Sequence, residues 1–178
     1  MGFRVAIIAV HGKSRKQLYA EYGVEPTGAR EEIAESPVCG ACVSTGWELL
    51  YLNNAPRPDS AQLAVLSRQA ELLFCDVNET TMTSFATGWS RGTEDWLLFH
   101  DGQVSLTHLT TAGDLPDEYA AIRDALVQQQ TADADGVDYL FDVPVELFAA
   151  LTGVRYDRDL PAAEATPFYT LEFVARQQ

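Results

Sequence analysis

The segment Phe-Arg-Val-Ala-Ile-Ile-Ala-Val, residues 3–10, decides the fold, because it is almost continuously apolar and rich in β-branched side chains. Such a run is typical of a strand covered on both faces, so we expect it in the middle of a sheet. Leu18, Tyr19 and Tyr22 follow at helical spacing, and Gly23 stands where a left-handed cap would end a helix. The first strand therefore leads directly into a first helix.

After the predicted first strand and first helix, residues 24–45 show little periodicity and contain several Pro and Gly residues. We expect them to form a long irregular connection, of the kind that often carries function. The Asp101-Gly102 pair predicts a two-residue hairpin. Alternation and capping signals predict further strands at 47–52, 72–77, 81–89, 95–100, 103–110 and 168–174, and helices after Asp59, over 114–130 and over 142–151.

This order of elements predicts an α+β fold in one domain spanning residues 1–178. We expect a single, largely antiparallel mixed sheet of about six or seven strands, with three or four helices packed on it. A chain of 178 residues that is 47% hydrophobic can bury a core of its own, which excludes disordered and low-complexity classes.

The charge is distributed unevenly. Of the formal net charge of −14, residues 1–93 carry −2 and residues 94–178 carry −12. Such a field repels nucleic acid and attracts basic surfaces, although an acidic surface can also serve solubility alone. The acids around the predicted third helix and the acidic loop at 131–138 are the candidate contacts for a basic protein partner: Asp114, Asp117, Glu118, Asp124, Asp133, Asp135 and Asp138.

Basic residues gather after the first strand, in the segment His11-Gly12-Lys13-Ser14-Arg15-Lys16. A strand-to-helix junction with Lys and Ser resembles a phosphate-binding loop, but Ile7 stands where that motif needs its first glycine. His11, Lys13, Ser14, Arg15 and Lys16 therefore form a candidate site for an anion. The alternative is a solvated basic face that balances nearby acids.

Cys39 and Cys42 have the spacing of a thiol redox pair or half of a zinc site, and Cys75 is the third thiol. Since no second paired motif exists, these three are the candidates if there is a metal, and we expect neither a metal nor a cofactor. An odd number of cysteines favours a reducing compartment. The apolar run at 5–10 is too short for a signal peptide or a membrane span, so we expect a cytoplasmic protein that does not bind membranes, as a monomer or homodimer.

The predicted Asp101-Gly102 hairpin would place Asp95 beside His108 and leave His100 exposed near its tip. An oriented histidine beside a carboxylate is half of a catalytic arrangement, but no nucleophile motif accompanies it. A cross-strand ion pair that fixes the register is the alternative. We therefore expect no catalytic set, with His108 and Asp95 as its candidates if one exists.

Four features together resemble a group of short acidic bacterial proteins of unassigned function: Gly12-Lys13-Ser14, Tyr22-Gly23, Pro26-Thr27-Gly28, and the segment 138–153. The resemblance spans most of the chain and carries over no functional residue. By charge and size, we expect a non-enzymatic binding protein of the immunity or inhibitor type that acts on a basic protein. The alternative is a small enzyme or ligand-binding domain for a phosphate-bearing metabolite at the junction of the first strand and first helix.

Overall fold

The computed structural model describes residues 2–161 and 165–175. Within them the chain forms one antiparallel sheet of nine strands, in the order β2-β9-β3-β4-β1-β5-β6-β7-β8. The strands are β1 (Arg4–His11), β2 (Val24–Glu31), β3 (Val38–Cys42), β4 (Glu48–Asn53), β5 (Glu71–Asn78), β6 (Thr83–Ser90), β7 (Thr93–Asp101), β8 (Thr110–Gly113) and β9 (Phe168–Phe173). The helices are α1 (Arg15–Tyr22), α2 (Ser60–Leu66), α3 (Glu118–Ala132) and α4 (Asp142–Thr152), with a 3₁₀ turn at Tyr139–Phe141.

The strand β1 lies in the middle of the sheet, between β4 and β5, as its apolar sequence predicts. Its side chains alternate between two cores. Ile7 belongs to the core beneath α4 and the 3₁₀ turn, whereas Ile8 belongs to the core beneath α1 and α2. The molecule therefore has three layers, and an α+β architecture with helices on both faces of the sheet is confirmed.

Local signals set the limits of the two short helices. Ser14 caps α1 and Asp59 caps α2, and in each case a Gln three residues later completes a capping box. Gly23 ends α1 in the left-handed conformation, with φ of 84°. These caps fix the direction in which the chain returns to the sheet.

Two expectations about the sheet are wrong. The sheet has nine strands rather than six or seven. Each of its pairings is antiparallel, so it is not a mixed sheet. The segment 24–45 is also not an irregular connection, because it contains β2 and β3. β2 is an edge strand that buries only Val24, so it tolerates Pro26 and lacks the alternation that reveals a strand.

The hairpin prediction at Asp101-Gly102 is wrong in register. β7 continues to Asp101, and β8 begins only at Thr110, so Phe99 pairs with Thr110 rather than with Val104. The eight residues between the two strands form a loop. Its conformation depends on contacts with distant residues, which a two-residue turn signal cannot reveal.

No helix in the described part of the chain is both long and apolar enough to cross a membrane.

Candidate functional site

A cleft of about 550 Å³ lies beside β1 and β4, on the face of the sheet that carries α4. Aromatic rings form its apolar part. Tyr51 and Phe168 pack edge to face with centroids 5.2 Å apart, and Phe3 packs against Tyr156 at 5.5 Å. Phe3 is 53% exposed, so the apolar surface continues to the mouth of the cleft.

Hydrogen bonds fix the walls of this cleft. The Tyr156 hydroxyl donates to Glu79 over 2.7 Å, and the other oxygen of Glu79 accepts the backbone N–H of Phe3 over 2.8 Å. The Asn53 amide donates to the carbonyls of Ala34 and Ser36, at 2.8 and 2.9 Å, and so holds the segment 32–36 against the sheet. The cleft is therefore formed in the free protein.

Carboxylates surround the mouth of the cleft. Glu32, Glu35 and Asp159 are exposed and form no ion pair with any described residue, whereas Asp157 is bound by Arg155 at 2.7 Å. One base, Arg158, also lines the cleft. An aromatic interior with an acidic rim suits a cationic group, because rings and carboxylates both attract it. Sequence analysis missed this site, since its residues come from five separate segments.

The candidate anion residues are occupied by contacts within the protein. The Lys13 side chain is 5% exposed, and its Nζ donates to Glu21 and, over 2.6 Å, to the carbonyl of Leu66. Arg15 pairs with Glu48 at 3.1 Å and lies 4.4 Å from the ring centroid of Tyr169.

The other members of that segment do not converge on one point. Ser14 is the N-cap of α1, and the exposed His11 lies against Trp47 with centroids 5.6 Å apart. Lys16 is exposed and lines a separate depression beside Tyr19 and β2. Within this segment, Lys13 and Arg15 are thus bound to acids of the protein, and the five residues do not form one site.

The acids of the second half lie mostly where the sequence predicts, on and around α3. Asp114, Asp117, Glu118, Asp124 and Asp135 are exposed. Asp124 binds its neighbour Arg123 at 2.7 Å. Since α3 extends over residues 118–132, the acidic loop at 131–138 is shorter than expected.

Two acids of that loop are structural. Asp133 accepts the backbone N–H groups of Asp135 and Val137, at 3.0 and 3.2 Å. Asp138 has a side chain only 6% exposed and lies 3.0 Å from His100. The expectation that Asp138 contacts a partner is therefore wrong, because its carboxylate is bound to His100 inside the protein.

His108 and Asp95 do not form a pair. The exposed Asp95 lies near Gly113 and Asp114 at the end of β8, whereas His108 lies in the loop between β7 and β8. The Nδ1 of His108 accepts the backbone N–H of Asp101 over 2.9 Å, and its Nε2 lies 3.2 Å from the Thr110 hydroxyl. This histidine therefore holds the loop between β7 and β8.

His100 is fully buried rather than exposed. Its Nδ1 lies 2.7 Å from the carbonyl oxygen of His108, which can only accept, so Nδ1 carries a proton. Its Nε2 faces Asp138. The pair thus joins β7, the following loop and the 3₁₀ turn.

The three cysteines are not gathered into a metal site. The described residues contain no group of three or more Cys, His, Asp or Glu placed to hold an ion. Cys39 and Cys75 are buried, whereas Cys42 is exposed at the end of β3. Burial raises the pKa of Cys39 to about 12, with a further contribution from Glu31 at 3.3 Å, so this thiol stays protonated at neutral pH.

Comparison with known proteins finds no match: no family model, no curated protein and no solved structure resembles this chain.

Proposed function

We propose that this chain is a non-enzymatic binding protein that takes a basic segment of a protein partner in the cleft beside β1. The observation that carries the proposal is the combination, at one mouth, of exposed apolar side chains with carboxylates that form no ion pair within the described part of the chain. Phe3 and Ile33 are 53% and 56% exposed there, beside Glu32 and Glu35. Apolar surface rimmed by charge is typical of protein-binding sites.

The chemistry of the cleft selects a long cationic side chain. An arginine or lysine can place its methylene groups on the rings while its charged end meets the rim. Burial raises the pKa of Tyr51 and of Tyr156, so both phenols remain neutral and contribute ring faces rather than charge. Among the described residues, four rim acids outnumber one base, Arg158, which leaves the mouth negative.

The exposed acids of α3 add to the same negative field from another part of the surface. Charges at that distance do not bind the partner directly, but they increase the rate at which a basic protein arrives. An inhibitor or immunity role fits this division, since such proteins combine rapid capture with a specific docking site.

The alternative function, an enzyme or binding domain for a phosphate-bearing metabolite at the junction of β1 and α1, has weaker support. Lys13, the cation that would hold a phosphate, has two acceptors already and is nearly buried. His108 lacks the orienting carboxylate expected of Asp95, and its ring nitrogens contact the backbone N–H of Asp101 and the Thr110 hydroxyl at the two ends of its own loop.

The test uses a library of twelve-residue peptides with one or two arginines among apolar residues, each paired with a citrulline version that removes the charge. We expect one subset to bind the wild type through arginine. The double variant Glu32→Lys/Glu35→Lys should weaken that binding at least tenfold, the loss typical of charge-assisted contacts.

The matched control is Glu25→Lys/Glu71→Lys, which alters two exposed acids outside the cleft. Each acid-to-lysine change raises the net charge by two, so both double variants carry −10 instead of −14. The control should change affinity less than twofold. Equal losses in the two variants, or equal binding of the citrulline peptides, would show general attraction and refute the cleft as the site.

A further inference from the structure

A second cavity, of about 160 Å³, opens near the start of β1, at the opposite end of that strand from the basic segment 11–16. At about 30 Å³ for each water, it has room for about five waters or for a small organic ion. The residues that decide its chemistry are Arg4, Arg57, Asp76, Asn78, Phe85 and Phe99. None of them lines the cleft described above.

Arg57 lines this cavity, and one of its donors is unsatisfied. Its Nε donates to Asp76 over 2.9 Å, and its Nη1 donates to the carbonyls of Leu52 and Ala55, each over 3.0 Å. Its Nη2 is buried and has no partner among the described residues. Buried donors of folded proteins nearly always have a partner, so the orphan Nη2 leaves the positive charge of Arg57 only partly compensated beside the cavity.

Arg4 adds a second guanidinium to the same cavity. It is exposed, and its side chain makes no hydrogen bond or ion pair with the described residues, although it is close enough to act on Asp76. Two cations thus converge where only one carboxylate is present. Burial raises the pKa of Asp76, although the neighbouring guanidinium of Arg57 opposes the change.

The remaining walls are a polar donor and two rings. Asn78 uses its side-chain oxygen to accept the N–H groups of Thr80 and Thr81, so its amide N–H groups stay available. Phe85 and Phe99 are cross-strand neighbours with centroids 6.5 Å apart, and both are half-buried. An apolar surface therefore stands beside the cationic groups.

We propose that this cavity binds a small organic anion, a carboxylate or phosphate carried on an aromatic or other apolar group. The anionic oxygens accept from Arg4 and from the Asn78 amide beside the charged Arg57, and the apolar group lies on Phe85 and Phe99. The site is independent of the cleft and takes a ligand of the opposite charge. It also differs from the anion site expected at residues 11–16, which uses other cations.

The test titrates the full chain at low ionic strength with benzoate and phenyl phosphate, and in parallel with acetate and inorganic phosphate. We expect saturable binding of one equivalent of an aromatic probe by calorimetry, with amide shifts in NMR spectra centred on Arg4, Asn78 and Phe99. The preferred aromatic probe distinguishes a carboxylate ligand from a phosphate ligand. Equal affinity for the probes with and without a ring would overturn the proposal.

Two variants and one control assign the binding to this cavity. Arg4→Gln, at an exposed position, should weaken the binding about tenfold, and Asn78→Asp, which keeps the side-chain oxygen but removes the amide N–H groups, should weaken it at least as much. Arg68→Gln changes the net charge equally at an exposed site on the far end of α2 and should have no effect. The absence of binding below 10 mM of either aromatic probe, roughly the limit of specific recognition, or unchanged affinity in Arg4→Gln, would refute it.

Discussion

His100 and Asp138 meet inside the protein, with Nε2 and Oδ2 3.0 Å apart and side chains 0% and 6% exposed. Both nitrogens of His100 face oxygen acceptors, one a carbonyl and the other a carboxyl group, so a proton must also be shared between Nε2 and Oδ2. Asp138 in turn accepts the backbone N–H of Phe141 over 3.3 Å. This one contact therefore connects the sheet to the helical layer above it.

Removing one member of this pair should be costly. We expect Asp138→Ala to lower the free energy of unfolding by about 3 kcal/mol, because His100 is left buried without its acceptor. Asp135→Ala, at an exposed position of the same loop, should change it by less than about 0.5 kcal/mol. Chemical denaturation measures both, and additive losses in a double-mutant cycle of His100→Gln with Asp138→Ala would contradict the coupling.

The acids of α3 should govern the speed of partner capture. Replacing Asp117, Glu118 and Asp124 with lysine should slow association with an arginine peptide selected from the library by about tenfold at low salt, and flatten the dependence of the rate on ionic strength. Stopped-flow fluorescence measures the rate. The control replaces three exposed acids elsewhere with lysine, namely Glu25, Glu71 and Glu172. Both triple variants then carry a net charge of −8 instead of −14. Unchanged rates in the α3 variant would exclude steering from this helix.

The thiols should differ sharply in reactivity. We expect iodoacetamide at neutral pH to modify the exposed Cys42 and to spare Cys39 and Cys75 until the protein unfolds. Mass spectrometry counts the modified thiols. Rapid labelling of all three in the native protein would contradict the burial described above.

The raised pKa of Cys39 should also limit stability in alkali. The thiol of the unfolded protein ionises near its ordinary pKa of 9.0, whereas the pKa of the folded thiol is about 12. Its contribution to stability is therefore complete below pH 9 and is lost as the pH rises toward 12, because the unfolded state releases its proton first. Denaturation of the wild type and of Cys39→Ala across this range should show a shallower decline in the variant, and parallel curves would disprove it.

Gly40 is required by the close approach of Tyr19. A Cβ at position 40 would lie 1.8 Å from the Tyr19 hydroxyl oxygen, so Gly40→Ala should cost at least about 2 kcal/mol. That hydroxyl is itself buried without a described partner, so Tyr19→Phe should preserve or raise stability by up to about 1 kcal/mol. In the double variant Gly40→Ala/Tyr19→Phe, removal of the Tyr19 hydroxyl should restore part of the stability lost in Gly40→Ala. Thermal unfolding of the three variants measures these changes.

The patterns that predicted structure correctly are those in which one short segment contains the whole signal. The apolar run at 5–10 needs cover on both faces wherever it lies, and β1 has that cover. The left-handed cap at Gly23 and the capping box that begins at Asp59 are likewise complete within a few residues. A strand with few apolar residues gives no such signal: β2, which buries only Val24, is recognisable only because β9 pairs with it.

The sequence by itself determined a central buried strand, the caps of two helices, the excess of acid in the second half and the exposed carboxylates of α3. Only the tertiary structure decided which charges remain free. It buries Lys13, Asp138 and His100 against partners that lie 53, 38 and 38 residues away, while leaving Glu32, Glu35 and Arg4 beside cavities without an ion pair to any described residue. The physical reason is that a charge is neutralised by whatever lies within a few ångströms, and the fold sets that neighbourhood at distances along the chain that no local pattern encodes.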